Sequence, residues 1–263
     1  MSDNPTSTPK PHQRRPRYAG KHPHRFEEKY KERDPNRYAE EIRKVLASGK
    51  TPAGSHRPIM VAEILEILAP KPGEVAVDCT LGYGGHAEKI LPRLQPGGML
   101  LGLDADPIEL PKAEARLRSL GFGPETFTAH RSNFAGLPQV LASASVIGAD
   151  IILADLGVSS MQIDDPARGF SVKHEGPLDM RMNPERGQSA SVLLQKIRAD
   201  ALASLLSENS DEPHAFVLAS ALAGKTFATT SALAGAIRVA LARRGTDVVD
   251  LSIRRVFQAL RVA

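Results

Sequence analysis

An aspartate followed by a glycine-rich turn is the feature of this sequence that points most directly to chemistry. The apolar segment 75–77 ends in Asp78, three glycines fall within residues 82–85, and a helical pattern covers residues 87–94. A strand, a tight turn and a helix in this order open a nucleotide-binding βαβ unit. The glycines permit positive φ angles and a close approach of the backbone, and the first N–H groups of the helix point at the ligand.

The carboxylate before the turn favours one class of ligand over another. Residues 82–87 fit the G-x-G-x-x-A pattern of dinucleotide-binding proteins, so NAD is one candidate. Asp78 would face the negative charge of a pyrophosphate at low dielectric constant, which is repulsive. A ligand with an ammonium and a sulfonium group would be attracted instead. The turn therefore favours S-adenosylmethionine (AdoMet), and an NAD-dependent oxidoreductase is further disfavoured because the sequence has no substrate-domain pattern.

Two later apolar segments also end in an acidic residue. Residues 99–104 and 150–155 are typical of buried parallel strands, and they end in Asp104 and Asp155. Because the carboxyl ends of parallel strands meet at one edge of a sheet, we predict that both carboxylates line one crevice with Asp78.

Two residues of this crevice are predicted to contact particular parts of the ligand. Asp104 lies 20 residues beyond Gly84, where a carboxylate would bind ribose hydroxyls. Phe134 follows a predicted third strand at residues 126–130, where an aromatic ring could cover an adenine. An ordinary core phenylalanine is the alternative for Phe134.

The composition is that of an ordinary globular protein without disulfides. The chain has 263 residues, of which 41% are hydrophobic and 24% charged, enough for one large domain with an insertion. No apolar run could span a bilayer, and the N-terminus has no signal-peptide core. Cys79 is the only cysteine, which fits a reducing cytoplasm and a small buried side chain. We expect no metal site and no membrane contact.

The positive charge is concentrated in the first 50 residues. That segment holds 13 Lys and Arg against 7 Asp and Glu, which leaves 21 basic and 23 acidic residues for the rest of the chain. Its polar, proline-rich composition predicts a largely disordered extension, with a possible short helix at residues 37–46. Such a tail could contact phosphates non-specifically, or it could be a solvated extension without a partner.

The remaining segments alternate between helical periodicity and one long stretch without it. An amphipathic helix is predicted from Val61 to Leu68. Periodicity disappears over residues 156–184, which we call the signature loop; a structureless segment of this length inside a compact protein is usually functional. Alanine- and leucine-rich helices are then predicted at residues 189–207, 213–224, 229–243 and 252–262, as a helical insertion.

Several short motifs carry a resemblance to a known family. They are His56-Arg57-Pro58-Ile59-Met60, Asp78-Cys79-Thr80-Leu81-Gly82, Gly84-Gly85-His86, Asp104-Ala105-Asp106-Pro107, Asp155-Leu156-Gly157-Val158-Ser159-Ser160, Arg168-Gly169-Phe170-Ser171 and Gly176-Pro177-Leu178-Asp179-Met180-Arg181-Met182. With them the chain, from about residue 55 to its end, resembles the bacterial small-subunit ribosomal RNA methyltransferase H family, the cytosine-N4 methyltransferases of 16S rRNA.

The resemblance implies an α/β fold, a Rossmann-like class I AdoMet-dependent methyltransferase sheet with a helical insertion. We divide the chain into the basic extension (1–50), the AdoMet-binding core (51–160), the signature loop and helical insertion on the substrate side (161–250), and the start of a return to the core (251–263). The implied partner is 16S rRNA in the small ribosomal subunit; the oligomeric state stays open.

The resemblance also implies a set of cofactor-binding residues. They are Gly84, Gly85, His86, Asp104, Phe134, Asp155 and Gln162. His86 and Gln162 rest on the resemblance alone, whereas Asp78 rests on the residue-level argument.

The implied reaction is in-line transfer of the sulfonium methyl group to the exocyclic amine of a cytosine. The lone pair of that amine is delocalised into the ring, so catalysis must position the amine and accept hydrogen bonds from its N–H groups. Asp155 is our candidate for this role, and a purely cofactor-binding role is equally compatible.

Two departures from the family define a competing hypothesis. The family continues past residue 262 into further strands, including a Phe-His-Ser-Leu-Glu-Asp-Arg segment, so we expect an incomplete sheet with segment 150–155 as a bare apolar edge. The insertion positions around Phe216, Val217 and Ser220 are uncharged, which predicts a weaker RNA contact. We therefore expect weak AdoMet binding, poor methylation and self-association; the alternative function is a non-catalytic AdoMet- or RNA-binding remnant.

Overall fold

A computed structural model of the protein describes residues 58–263. The predicted extension 1–50, its short helix, and residues His56 and Arg57 of the first motif lie outside the described residues. The first half of the described chain consists of α1 (Val61–Leu68), β1 (Val75–Asp78), α2 (Gly85–Leu94), β2 (Met99–Asp104), α3 (Leu110–Ser119), β3 (Phe127–Arg131), α4 (Leu137–Ser143) and β4 (Ile151–Leu153).

The four strands form one parallel sheet in the order β3-β2-β1-β4. The predicted α/β class with a Rossmann-like parallel sheet is confirmed. The chain places β2 and β3 on one side of β1 and β4 on the other, so the strand order reverses at β1. Ligands of open α/β sheets bind at such a switch point, outside the carboxyl ends of the strands.

Alternating side chains of the central strands fill two cores, one on each face of the sheet. Ala76, Leu100 and Phe127 pack on one face against α1, α2 and α3. Val77 and Leu101 pack on the other face against α4. Burial on both faces explains why β1 and β2 are continuous apolar runs, and it fixes their carboxyl ends relative to each other. Cys79 is buried in the second core, as a small core residue.

The edge strand β4 is shorter than the predicted segment 150–155. It pairs with β1 over Ile151–Leu153 and forms an edge of the sheet among the described residues. Ile152 is exposed there. Asp150 lies at the amino end of β4, where its Oδ2 atom accepts a hydrogen bond of 2.8 Å from the backbone N–H of Val75 at the start of β1.

The second half of the described chain is helical. It consists of α5 (Ser160–Asp164), α6 (Ala190–Lys196), α7 (Ala199–Ser210), α8 (Ala215–Leu222), α9 (Thr230–Ala240) and α10 (Thr246–Val262). The prediction of one helix over residues 189–207 is wrong, because Ile197 and Arg198 are extended and separate α6 from α7. Neither glycine nor proline marks this break, so the sequence pattern continues through it.

These helices surround a core of their own. It includes Leu206, Leu218 and Ile237, together with Phe170 and Leu178 from the signature loop. The helix α10 continues through residue 250, and its buried apolar side chains belong to this same core, whereas we expected residues 251–263 to begin a return to the sheet. The domain boundaries otherwise stay a prediction.

No helix within residues 58–263 is long and apolar enough to cross a membrane.

Candidate functional site

Two buried carboxylates flank the glycine turn at the carboxyl edge of the sheet. Asp78 ends β1 and Asp104 ends the neighbouring strand β2, and both are almost fully buried. Burial of carboxylates is costly unless they receive hydrogen bonds or face a positive group. The partners of each therefore indicate what the site can bind.

Asp104 holds the glycine turn in place. Its Oδ2 atom accepts a hydrogen bond of 2.8 Å from the backbone N–H of Gly82, and its Oδ1 atom accepts one of 2.9 Å from the N–H of Asp106. Burial raises the pKa of the Asp104 carboxyl, and these backbone hydrogen bonds partly oppose the rise. Each carboxylate oxygen has a second lone pair, so the side chain can also accept from a pair of hydroxyl groups.

The buried carboxylate of Asp78 receives fewer backbone hydrogen bonds than that of Asp104. Its Oδ1 atom accepts a hydrogen bond of 3.0 Å from the N–H of Thr80. Burial raises the pKa of the Asp78 carboxyl to about 6, against the opposing effects of this hydrogen bond and of nearby His86. A cationic ligand group beside Asp78 would favour its ionised form. The site therefore suits a positive ligand at this point.

The raised pKa of Asp78 predicts a stability cost that depends on pH. The unfolded chain loses this proton near the usual pKa of 3.8 and the folded protein near about 6, so the folded state is destabilised as the pH rises between these values and bears the full cost above them. Asp78→Asn removes the charge, so the ligand-free variant should gain roughly 2–3 kcal/mol in free energy of unfolding at pH 8.

Urea unfolding of the ligand-free proteins at pH 8 and near pH 4 measures this effect. The difference between variant and wild type should fall to a small fraction of its pH 8 value near pH 4, because the folded state then holds the proton and the unfolded chain is only about half ionised. A variant no more stable than wild type at pH 8 would show that the ionised Asp78 carboxylate costs the folded state less free energy than its few contacts indicate.

The predicted glycines lie where the chain is closely packed. Gly84 has a φ angle of 79°, and a Cβ atom there would lie 3.0 Å from Cδ1 of Leu117. A Cβ atom on Gly85 would lie 3.0 Å from the ring of Pro58. Gly84 precedes α2, whose first turn has no side-chain cap, so the N–H groups of that turn are available to a ligand in the crevice.

His86 connects the glycine turn to the segment before α1. It is buried in the first turn of α2, and its Nε2 atom lies 3.0 Å from the carbonyl oxygen of Ile59. The carbonyl accepts, so Nε2 carries the proton in this arrangement. The side chain therefore supports the turn, and its direct contact with a cofactor stays a prediction.

Asp155 lies at the mouth of the crevice beyond β4. The residue is exposed, and its backbone N–H donates a hydrogen bond of 2.7 Å to Oγ1 of Thr80. Among residues 58–263 no hydrogen bond reaches the Asp155 carboxylate. Thr80, which sequence reasoning did not single out, thus links the segments that carry Asp78 and Asp155.

The aromatic candidate is exposed. Phe134 begins a short 3-10 helix after β3, and 56% of it is accessible. A core role for Phe134 is therefore wrong, because a packed side chain would not retain that exposure. Leu156 is also exposed, beside Asp155. An adenine over Phe134 stays a prediction.

Gln162 is held inside the protein. Its Oε1 atom accepts a hydrogen bond of 2.9 Å from the N–H of Ser159 in a capping box at the start of α5. Its Nε2 atom donates one of 2.8 Å to Oδ2 of the fully buried Asp106. Asp106 also binds Arg168, and sequence reasoning assigned neither of these two a role, although both stand in the quoted motifs.

Two glycines of the signature loop are required by close backbone contacts. A Cβ atom on Gly169, whose φ angle is 68°, would lie 1.9 Å from the carbonyl oxygen of Pro177. A Cβ atom on Gly176 would lie 1.8 Å from that of Pro166. The loop is therefore folded tightly upon itself. Within residues 58–263 no three His, Cys, Asp or Glu side chains are arranged to hold a metal ion.

The chain is similar in sequence to a family of methylases and to several of its named members. A model of the MraW methylase family matches residues 53–263. A protein of Lachnoclostridium phytofermentans named ribosomal RNA small subunit methyltransferase H 1 is 46% identical over 272 residues, which cover 100% of this chain and 74% of that protein.

Two further relatives carry the same kind of name. Ribosomal RNA small subunit methyltransferase H 2 of Acholeplasma laidlawii is 48% identical over 258 residues, and that of Alkaliphilus metalliredigens is 46% identical over 259 residues. Each alignment covers 95% of this chain and 74% of the relative.

Proposed function

The chain belongs to the MraW methylase family, and from this we propose that it methylates small-subunit ribosomal RNA. We propose AdoMet as the methyl donor, and as the acceptor the N4 amine of a cytidine in the decoding region of 16S rRNA. The names of its relatives favour this enzyme over the alternative, a non-catalytic remnant of the family. The cofactor, the acceptor atom and the site residues are parts of the proposal.

The observation that carries the choice of cofactor is the pair of buried carboxylates around the glycine turn. Asp104 at the end of β2 can accept hydrogen bonds from ribose hydroxyls, and Asp78 at the end of β1 can face a positive group. A pyrophosphate at Asp78 would instead meet like charge in a poorly solvated place. These residues fit AdoMet better than NAD.

The residues of the crevice divide into those that hold the methyl donor and those that hold the acceptor. When bound, AdoMet supplies an electrophilic methyl group on a sulfonium sulfur. Asp155, exposed and fixed through its backbone by Thr80, accepts a hydrogen bond from the cytosine amine and directs its lone pair. As the N–C bond forms, the methyl–sulfur bond would break and S-adenosylhomocysteine would leave as a neutral thioether. The amine would pass one proton to solvent, and the Asp155 carboxylate would stabilise the positive charge that develops on it.

The substrate side is proposed to comprise the signature loop and the helical insertion. Phe216 and Val217 are exposed on α8, so this part offers stacking and apolar contact more than charge. Ribosomal RNA lies in the bacterial cytoplasm, and we expect the protein to act there on the small ribosomal subunit.

Titration calorimetry of the full chain with AdoMet and with NAD tests the cofactor assignment. We expect saturable heat with AdoMet and none with NAD, because only the former brings positive charge to Asp78. Heat with NAD alone would contradict the proposal and return the turn to the dinucleotide class.

A further inference from the structure

We propose that Arg168 is a positioning residue that holds the distal part of the signature loop and the residue that follows it, together residues 177–185, against the carboxyl end of β2. The proposal rests on the proposed function, and it gives a role to Asp106 and Arg168, two buried residues that the reaction described above does not use. We call Asp106, Gln162 and Arg168, with the backbone groups they bind, the Arg168 network.

Asp106 is the centre of this network. Its side chain is fully buried, and its Oδ2 atom accepts hydrogen bonds of 2.7 Å from Nη1 of Arg168 and 2.8 Å from Nε2 of Gln162. Its Oδ1 atom accepts from the N–H groups of Ile108 and Glu109, at 2.9 and 3.3 Å. The four donors use the whole accepting capacity of the carboxylate, so its position is tightly determined.

Arg168 carries this constraint into the signature loop. Its Nη2 atom donates to the carbonyl oxygens of Arg181 and Met182, at 3.0 and 2.9 Å, and its guanidinium lies 5.5 Å from the centre of the Phe170 ring. Only 6% of the residue is exposed. A planar guanidinium can bind a carboxylate with one nitrogen and two carbonyls with the other, which an ammonium cannot do in the same geometry.

The network begins at a residue of the cofactor site. Oδ1 of Asp104, the proposed ribose ligand, accepts from the N–H of Asp106, and the next two steps lead through Arg168 to Met182. The same loop also reaches the end of β3, where Nη1 of Arg131 lies 2.9 Å from Oε2 of Glu185. Residues 181–185 therefore lie beside the carboxyl ends of β2 and β3. The signature loop begins directly after Asp155, the proposed partner of the acceptor amine, so a displacement of the loop can also disturb the acceptor side of the crevice.

The ion pairs of Arg168 and of Arg131, the two arginines that contact this loop, differ in their exposure to solvent. The Arg168–Asp106 pair is buried, whereas the side chains of Arg131 and Glu185 are 52% and 61% exposed. An exposed pair is screened by solvent and contributes little, whereas loss of one partner from a buried pair leaves a charge without compensation. Arg131→Lys is therefore a matched control for Arg168→Lys, since both change an arginine that binds a carboxylate and contacts this loop.

The test combines hydrogen exchange of the ligand-free protein with single-turnover methyl transfer to small ribosomal subunits at saturating AdoMet. In Arg168→Lys we expect faster hydrogen exchange of the amides of residues 181–186 and unchanged protection of the helical core. The methyl-transfer rate per folded molecule should be about a hundredfold lower, since a displacement of the reacting groups by about 1 Å can cost that much. The affinity for AdoMet should stay within about threefold of wild type, because Asp104 keeps its own backbone hydrogen bonds. Arg131→Lys should leave all three quantities nearly unchanged.

Other outcomes would overturn the proposal. A transfer rate per folded molecule near that of wild type, or an equal loss in Arg131→Lys, would make Arg168 a purely structural residue. An equal loss of AdoMet affinity would place its effect in the cofactor site alone. If Arg168→Lys does not fold, the double variant Asp106→Asn/Arg168→Gln leaves no unpaired charge and is measured in its place. A wild-type protein that transfers no methyl group would refute the proposed function, while hydrogen exchange would still decide whether Arg168 holds the loop.

Discussion

Replacing Asp155 with alanine is expected to lower the rate of methyl transfer about 10²- to 10³-fold at saturating AdoMet and RNA, the usual effect of removing one preorganised hydrogen-bonding group from an active site. The carboxylate is exposed at the mouth of the crevice, and its backbone N–H is held 2.7 Å from Oγ1 of Thr80. The variant loses the acceptor that directs the cytosine amine, and it keeps the backbone anchor.

The equilibrium affinity for AdoMet separates the two roles of Asp155. If the residue positions the amine, the dissociation constant of the alanine variant should stay within about threefold of wild type while the rate falls. If it binds the cofactor, both should change together. Asp155→Asn keeps one acceptor oxygen without the charge, so its rate should lie between those of the alanine variant and wild type. An alanine variant with an unchanged rate would exclude Asp155 from the reaction.

Replacing Asp104 with alanine is expected to weaken AdoMet binding at least tenfold, and up to several hundredfold if both ribose hydroxyls are bound. Hydrogen bonds to a charged group are each worth about 1.5–3 kcal/mol. The substitution also removes the acceptor for the Gly82 N–H, which lies 2.8 Å from Oδ2, so the glycine turn loses its support on β2. Titration calorimetry at neutral pH measures the loss.

Asp150 provides a matched control for this experiment. Its carboxylate also accepts a backbone hydrogen bond of 2.8 Å from a strand of the sheet, the N–H of Val75, but at the amino end of β1. Asp150→Ala should therefore alter stability without altering AdoMet affinity. If Asp104→Ala binds AdoMet as wild type does while remaining folded, Asp104 is not the ribose ligand and the orientation of the proposed cofactor is wrong.

The parts of the site that the sequence predicts are those determined by local geometry. An apolar run that ends in an acid can only place the carboxylate at a strand end, so Asp78 and Asp104 were predictable, as was the glycine turn that requires a positive φ angle at Gly84. Burial on both faces, which shows in the sequence as a continuous apolar run, then marks β1 and β2 as central strands. For the same reason the parallel sheet was predictable as a class.

The parts that the sequence did not reveal depend on contacts between distant segments. Arg168 and Asp106 are 62 residues apart, and nothing in either motif shows that one binds the other. The inward orientation of Gln162 follows from that same pair. The break between α6 and α7 lies at Ile197, which is extended and packs against the helical core, and neither glycine nor proline marks it in the sequence.

The identity of the methylated atom tests the central claim most directly. Small ribosomal subunits that lack the modification would be incubated with the protein and isotopically labelled AdoMet, and the 16S rRNA digested to nucleosides and analysed by mass spectrometry. We predict label in N4-methylated cytidine with the wild-type protein and about a hundredfold less with Asp155→Ala. Label on a ring carbon, on a ribose or on protein, or none above the level of Asp155→Ala, would contradict the proposed reaction.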